Sequence, residues 1–169
     1  MKNTASLVTI NNLTITVGKG GKAIVSDVSF DIAPGEFVGI VGESGSGKTQ
    51  AARAIMGLTP SPLVTAAGSI KFSGLEITTA STKALRQLRG ARIGMVFQEP
   101  MTSLNPVYRI GNQIVEAIRT HEKIDKKAAM ERAVDLLRKV GIPSPEKRVY
   151  DYPHQMSGGM RQRVMIAMA

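Results

Sequence analysis

Residues 36–56 read EFVGIVGESGSGKTQAARAIM, and this stretch decides the fold. Its centre, GESGSGKT at 42–49, fits the pattern G-x-x-x-x-G-K-[ST] of a phosphate-binding loop in full. The apolar run at 36–41 predicts a buried strand before the loop, and residues 48–56 predict a helix after it. A strand, a glycine-rich loop and a helix in this order predict an α/β protein that binds phosphate groups.

The residue types of the loop suit an anion. Its glycines let the backbone take conformations closed to other residues, so that successive N–H groups point toward a phosphate. The helix that begins near Lys48 adds the positive end of its dipole. In this motif the lysine reaches the β- and γ-phosphates, and the hydroxyl of Thr49 ligates Mg²⁺. The predicted ATP contacts are Gly42, Glu43, Ser44, Gly45, Ser46, Gly47, Lys48, Thr49 and Gln50.

Composition bounds the other functions. Of the 169 residues, 43% are hydrophobic and 21% are charged, as in a globular domain. The absence of cysteine excludes disulfides, thiolate catalysis and cysteine-ligated metals. No apolar run approaches the roughly 18 residues of a membrane-spanning helix, and no secretory signal is evident, so a cytoplasmic protein is expected. The net charge of +9 favours polyanionic partners such as nucleotides, nucleic acids or an anionic membrane surface.

Periodicity outside the loop predicts a β-rich N-terminal part and a mostly helical C-terminal part. The predicted strands are 7–17, 23–32, 68–77 and 93–97, and the predicted helices are 81–90, 110–121 and 125–140. Ser81 and Asp125 are the expected N-caps of two of these helices. Residues 143–153, which contain several prolines, are expected to form a loop.

A second glycine-containing motif lies near the C-terminus. The sequence MSGGMRQR at 156–163 places a serine and two glycines at the start of a predicted helix. Free N–H groups, a hydroxyl donor and a helix dipole form another anion-binding design. Alone, the motif is more typical of a plain loop-to-helix turn than of an anion site.

Together with VFQEP at 96–100, the two motifs make the sequence resemble the ATP-binding subunits of ABC transporters, from Leu7 to Ala169. The stretches QEPMTSLNP at 98–106 and YPHQMSGGMRQRVMIAMA at 152–169 are similar to the oligopeptide, dipeptide and nickel importer branch. The resemblance implies an α/β fold with a RecA-like P-loop core, an N-terminal antiparallel β subdomain and a helical subdomain. It assigns 1–35 and 68–78 mainly to the β subdomain, 36–60 and 90–98 to the core, and 100–160 to the helical subdomain.

The resemblance also assigns roles to single residues. Gln98 is expected to contact Mg²⁺ and the attacking water, as a catalytic residue and a metal ligand. The signature residues Ser157, Gly158, Gly159 and Met160 are expected to bind ATP held by a second ATP-binding subunit, in a homodimer or heterodimer. The implied cofactors are ATP and Mg²⁺. The implied partners are transmembrane permease subunits and, indirectly, an external solute-binding protein, at the cytoplasmic face of the membrane, with no nucleic acid expected.

The sequence departs from the family pattern at several positions. Met160 stands where most of the superfamily has glutamine, and Val17 lies near the position where the family usually has an aromatic residue that stacks on adenine. His154 is interpreted as structural. The chain ends at Ala169, before the Walker B strand and the catalytic glutamate of the family. We therefore expect a C-terminally truncated ATPase in which ATP binding is more secure than hydrolysis.

Two other functions stay open at the sequence level. A nucleic-acid-associated P-loop ATPase is suggested by the pI of about 10.1, although lysine and arginine are scattered and only 4% of residues are aromatic. A non-hydrolysing module that binds nucleotide or a permease is the other alternative, because the expected hydrolytic residues are missing. Which solute would be transported cannot be read from these motifs.

Overall fold

The structure is a computed structural model that describes residues 6–97 and 103–169, with the side chain of Ala66 excepted. The chain divides into two units, Met1–Arg86 and Gln87–Ala169. This division puts 36–60 and 90–98 in different units, and the three-part subdomain assignment drawn from the sequence stays a prediction.

The first unit is built on an antiparallel sheet. Its strands are β1 (Val8–Val17), β2 (Ala23–Ile32), β3 (Leu63–Phe72) and β4 (Leu75–Glu76), in the order β2-β1-β3-β4. Helix α1 (Lys48–Ile55) contacts β3 and buries two alanines, Ala51 and Ala54. Helix α2 (Thr82–Leu88) follows, and the hydroxyl of Ser81 accepts a hydrogen bond from the N–H of Ala84 at 3.2 Å. The predicted strands at 7–17 and 23–32 and the predicted cap are confirmed.

The core of this sheet consists of aliphatic side chains from its two central strands. Ile10, Leu13 and Ile15 of β1 and Ile70 of β3 are each at most 1% exposed. Burying such a side chain stabilises a fold by about 1.5–3 kcal/mol relative to leaving it in water. Burial of these side chains therefore stabilises the sheet.

The strand expected at 68–77 is a hairpin instead. β3 begins earlier, at Leu63, and ends at Phe72; Ser73 and Gly74 then turn the chain with φ of 47° and 84°. Two successive positive φ angles match the right-handed twist of a hairpin, and glycine adopts them without steric cost. The single-strand prediction was wrong because it passed over this two-residue turn.

The two short apolar strands expected at 36–41 and 93–97 are not strands. Phe37 and Val41 are 102% and 95% exposed, which contradicts the buried strand predicted there. A β-strand exists through hydrogen bonds to a neighbouring strand. Within the described parts of the chain, the only pairing of either segment is one bridge between Arg89 and Ile93. Both predictions are wrong, because apolar composition suggests that a segment can be buried but does not show that a neighbouring strand pairs with it.

The second unit is helical. Its elements are α3 (Ile110–His121), α4 (Lys126–Lys139), α5 (Pro145–Arg148), a 3₁₀ turn (Pro153–Gln155) and α6 (Gly158–Met168). Asp125 caps α4 by accepting hydrogen bonds from the N–H groups of Lys127 at 2.9 Å and Ala128 at 3.1 Å. The helices predicted at 110–121 and 125–140 are confirmed, whereas the loop predicted at 143–153 contains the short helix α5.

A hydrophobic core joins the longer helices of this unit. Ile110 and Ile114 of α3, Leu137 of α4 and Val164 of α6 are all 0% exposed. α6 carries the second glycine motif at its exposed start, and its buried residues lie farther along the helix. None of the helices that the structure describes is long and apolar enough to cross a membrane.

Candidate functional site

The glycine-rich loop at 42–49 leads from irregular chain into α1. Gly47 is the N-cap of the helix, with φ of 87° and ψ of 0°. A Cβ built on Gly47 would lie 2.7 Å from the carbonyl oxygen of Ile24 and 2.9 Å from Cγ2 of Val25. Glycine is thus required here both for its backbone conformation and for its close approach to β2. This contact positions the start of α1 against the sheet.

The positive N-terminal end of α1 has no negative or hydrogen-bond-accepting side chain to balance it among the described residues. The first turn of any α-helix leaves backbone N–H groups without intrahelical partners, here those of Lys48, Thr49 and Gln50. Among the described residues, no side chain caps this end and no acidic residue lies in the first turn. An anion placed before the helix would satisfy these donors and interact favourably with the dipole.

Lys48 folds back over the loop. Its Nζ donates hydrogen bonds to the carbonyl oxygens of Gly42 at 2.8 Å and Glu43 at 2.6 Å, and to Oγ of Ser46 at 3.3 Å. These three contacts use all three donors of the ammonium group. The hydrogen-bond partners of the Lys48 ammonium are therefore neutral oxygens. A bound phosphate would give this ammonium an oppositely charged partner.

A pocket of about 320 Å³ lies at the loop, lined by Ile24 and by the consecutive residues 45–50. Ile24 was not anticipated from the sequence, since nothing marks the second residue of a strand as a pocket residue. Gln50 contributes a buried Oε1 that has no hydrogen-bond partner in the parts of the chain that the structure describes. Leaving such an acceptor unpaired costs about 1–3 kcal/mol.

The residues at this loop fit Mg²⁺ as well as phosphate. Thr49 lines the pocket, and a hydroxyl oxygen is the kind of ligand that this ion takes alongside phosphate oxygens and water. Within residues 6–97 and 103–169, no group of three or more His, Cys, Asp or Glu residues could hold a metal by itself. A metal here would depend on Thr49 and on the bound phosphates. The other predicted ligand, Gln98, lies outside the described residues.

The second motif lies at the start of α6. Ser157 is the N-cap, and its Oγ accepts a hydrogen bond from the N–H of Met160 at 3.3 Å. The hydroxyl can still donate its own hydrogen to another group. A Cβ on Gly158 or Gly159 would meet no atom within 4 Å. The described fold therefore does not itself require glycine at either position.

His154 and Val17, two further residues discussed in the sequence analysis, are both exposed. His154 is exposed and stacks on the ring of Tyr152, with centroids 5.6 Å apart and planes 11° apart, while the guanidinium of Arg109 lies 5.7 Å from the same ring. This packing agrees with a structural role for His154. Val17 is 42% exposed at the end of β1.

Comparison with known proteins gives the family. The sequence profile of the family described as "ABC transporter" matches residues 25–169. The dipeptide transport ATP-binding protein DppD of Haemophilus influenzae is 55% identical over 145 residues, covering 86% of this chain and 44% of the relative. The oligopeptide transport ATP-binding protein OppD of Bacillus subtilis is 49% identical over 166 residues, covering 96% and 46%.

Solved structures agree with the sequence matches. The ATP-binding cassette MJ0796, in a dimeric post-hydrolysis state bound to ADP and Pi, superposes with a TM-score of 0.83 at 26% identity, covering 95% of this chain and 68% of its own. The resemblance and the α/β fold class drawn from the sequence are confirmed. The chain spans about half the length of these two curated relatives, 44% of DppD and 46% of OppD.

Proposed function

This chain belongs to the ABC transporter family, and on that premise we propose that it binds ATP with Mg²⁺ in the energy-coupling subunit of an importer for dipeptides or oligopeptides. Binding of the nucleotide is the part that residues 42–50 carry themselves. Hydrolysis, transport and the choice of solute are proposed for the whole protein and not for this chain alone. The DppD and OppD relatives are about twice as long as this chain.

The geometry of the loop is the observation that supports ATP binding. It combines the left-handed Gly47, an uncompensated helix N-terminus and the Lys48 ammonium around one pocket. The backbone N–H groups would hold the phosphates, and Lys48 would exchange its bonds to loop carbonyls for charge-assisted bonds to phosphate oxygens. Thr49 would ligate Mg²⁺, which shields the phosphate charge. Gln98 is proposed as the residue that contacts the metal and the attacking water.

The start of α6 is proposed as a second nucleotide contact, made to ATP held by another subunit. Ser157 keeps a hydroxyl hydrogen available, and Gly158 and Gly159 leave an open surface where a phosphate could approach the backbone. Met160 follows them in the first turn. No contact within the described fold requires glycine at 158 or 159. Close approach of a phosphate to the backbone would explain both glycines. Two solved structures of the cassette MJ0796 are dimers.

The solute is proposed from the relatives. The names of the Haemophilus influenzae, Bacillus subtilis and Escherichia coli proteins refer to dipeptide and oligopeptide transport, at 48–55% identity. An importer of this kind would add permease subunits and an external solute-binding protein. The ATP-binding subunit would then lie at the cytoplasmic face of the membrane.

The test of this proposal is nucleotide binding by the Lys48→Ala variant. Loss of a charge-assisted contact is expected to weaken ATP binding by about 10- to 100-fold. Lys83→Ala is the matched control, because Lys83 is an exposed lysine of α2 outside the pocket. Equal ATP affinity of Lys48→Ala and Lys83→Ala would contradict the proposal. Binding to duplex DNA that outcompetes ATP would favour the nucleic-acid alternative.

A further inference from the structure

Arg109 stands at the start of α3, where its charge is locally unfavourable. It is the N-cap of this helix, and its side chain makes no capping hydrogen bond. Among the described residues, no acidic side chain lies in the first turn to balance it. Small polar residues are preferred at an N-cap, and a cation is repelled by the positive end of the helix dipole. A residue that breaks a local preference commonly serves a role that offsets the cost.

The side chain of Arg109 contacts the ring of Tyr152. The guanidinium carbon lies 5.7 Å from the ring centroid, within the range of a cation–π interaction. The backbone beside the two residues is joined as well, since the N–H of Ile110 donates to the carbonyl oxygen of Asp151 at 2.9 Å. Arg109 therefore helps to attach the start of α3 to the segment that leads to α6.

A hydrogen-bonded 3₁₀ turn lies between this contact and Ser157. The N–H of Tyr152 donates to Oε1 of Gln155 at 2.8 Å, and the N–H of Gln155 donates to the carbonyl oxygen of Tyr152 at 3.0 Å. The N–H of Met156 donates to the carbonyl oxygen of Pro153 at 3.2 Å. Ser157 follows directly as the N-cap of α6. A displacement of Tyr152 would therefore be transmitted to Ser157.

The turn is held in the fold by two buried residues, Pro153 and Met156. A rigid turn held at two points can still rotate about the line through them. The contact of the half-buried Tyr152 with Arg109 opposes this rotation. His154 also stacks on Tyr152, but it belongs to the same turn and cannot fix the turn relative to its surroundings. Arg109 is thus placed to determine the orientation of the turn.

We propose that Arg109 is a positioning residue for the second nucleotide contact: through Tyr152 it orients Ser157 toward ATP held by another subunit. This inference rests on the proposed function, which assigns that contact to the start of α6. Loss of the Arg109 contact should weaken ATP-dependent association of the subunits. Binding of ATP to the glycine-rich loop at 42–49 should be unaffected, because that loop belongs to the other unit of the chain.

The experiment uses the complete protein and its second ATP-binding subunit. It compares Arg109→Ala, Tyr152→Leu, the variant with both changes, and Tyr152→Phe, which keeps an aromatic ring. Arg119→Ala, at an exposed position of the same helix, is the matched control. Light scattering measures association with and without ATP. Equilibrium binding measures the affinity of each variant's own loop for ATP, and urea unfolding measures its stability.

We expect Arg109→Ala and Tyr152→Leu each to weaken ATP-dependent association about two- to fivefold, the effect of one exposed cation–π contact. The double variant should be no weaker than Tyr152→Leu, because both changes remove the same contact. Tyr152→Phe and Arg119→Ala should associate as the unchanged protein does. The affinity of the glycine-rich loop for ATP should be the same in all variants.

Three results would overturn the inference. Association of Arg109→Ala equal to that of Arg119→Ala would show that Arg109 does not act on this contact, even if its stability were lower. Losses that multiply in the double variant would show that the two residues act separately. Equal association of Tyr152→Leu and Tyr152→Phe would show that the ring has no role, and this comparison needs no change at Arg109.

Failure of the proposed function would look different. If the unchanged protein did not associate on addition of ATP, the second nucleotide contact would fail and the role of Arg109 would fail with it. If it associated and Arg109→Ala did so equally well, only the role of Arg109 would fail. The measured affinity of the glycine-rich loop for ATP tests the remaining part of the proposed function independently.

Discussion

Gly47 packs against the main chain of Ile24, where a Cβ on residue 47 would lie 2.7 Å from the Ile24 carbonyl oxygen. The same glycine has a φ of 87°. We expect Gly47→Ala to lower the free energy of unfolding through both effects: about 1–2 kcal/mol from the left-handed backbone and about 1–3 kcal/mol from the forced contact. ATP affinity should fall about tenfold or more, because displaced N–H groups lose charge-assisted bonds.

Gly45 provides the matched control for this prediction. Its φ is 82°, but a Cβ there would meet no atom within 4 Å. Gly45→Ala should therefore cost only the backbone strain. Urea unfolding and ATP titration of both variants separate the two contributions. Equal destabilisation by the two substitutions would show that the contact with Ile24 does not constrain the loop.

A second prediction concerns two N-caps of the helical unit, Ser157 and Asp125. Ser157→Ala should destabilise the protein by about 0.5–2 kcal/mol, since the hydroxyl that accepts from Met160 is lost. Asp125→Ala, which removes the cap of α4, should cost a similar amount. Under the proposed function only Ser157→Ala should also weaken ATP-dependent association of the complete protein with its second ATP-binding subunit. Light scattering with and without ATP measures this, and an equal effect of both variants would contradict a nucleotide role for Ser157.

The local signals in the sequence predict these elements well. Asp125 marks the start of α4 because its carboxylate accepts hydrogen bonds from the free N–H groups of the first turn. This interaction spans only three residues of the chain. Gly47 is similar, since a left-handed residue before a lysine and a threonine is specified by the motif itself. Both could be predicted because the physics that determines them lies within a few residues of the chain.

Features that depend on distant parts of the chain could not be predicted. The apolar segment at 36–41 looks like a buried strand, yet Phe37 and Val41 are exposed in the structure, because a strand needs a paired neighbour that composition does not reveal. Ile24 reaches the pocket only through the packing of β2 against Gly47. The turn at Ser73 and Gly74 differs from these features, since a Ser-Gly pair is itself a local turn signal.

A third prediction follows from the ionisation of Glu76. Burial raises the pKa of its carboxyl, but hydrogen bonds from the hydroxyls of Ser69 and Thr78 and from the N–H groups of Ile70 and Thr78 lower it more, from 4.5 to about 2. A lowered pKa means that the folded state favours the ionised form. Its contribution to stability is therefore complete above pH 4.5 and is lost as the pH falls toward 2.

We expect Glu76→Gln to destabilise the protein at pH 7 by about 1–2 kcal/mol, since the carboxylate's charge-assisted bonds are weakened. The difference from the unchanged protein should shrink between pH 4.5 and 2. Urea unfolding over this range measures it, with Glu131→Gln, at an exposed position of α4, as the control. A difference that stays constant or grows on acidification would contradict the assignment.

The last prediction is that alanine destabilises helix α3 at Gly111, although it normally stabilises a helix relative to glycine. Replacing glycine by alanine inside a helix normally stabilises it by about 1 kcal/mol. At Gly111, the second residue of α3, a Cβ would lie 2.5 Å from Cγ2 of Val149 and 2.8 Å from the Val149 carbonyl oxygen. A backbone oxygen cannot rotate away, and the N–H of Gly111 is itself hydrogen-bonded to it at 2.8 Å. Gly111→Ala should therefore destabilise the protein by about 1–3 kcal/mol.

Gly159 holds the corresponding second position of α6, where a Cβ would meet no atom within 4 Å. Gly159→Ala should leave stability unchanged or raise it, while adding a methyl group to the surface proposed to meet the second subunit's ATP. Thermal or urea unfolding of the two variants gives the opposite signs directly. If Gly159→Ala were as destabilising as Gly111→Ala, the start of α6 would be packed rather than open, and the proposed nucleotide contact there would lose its support.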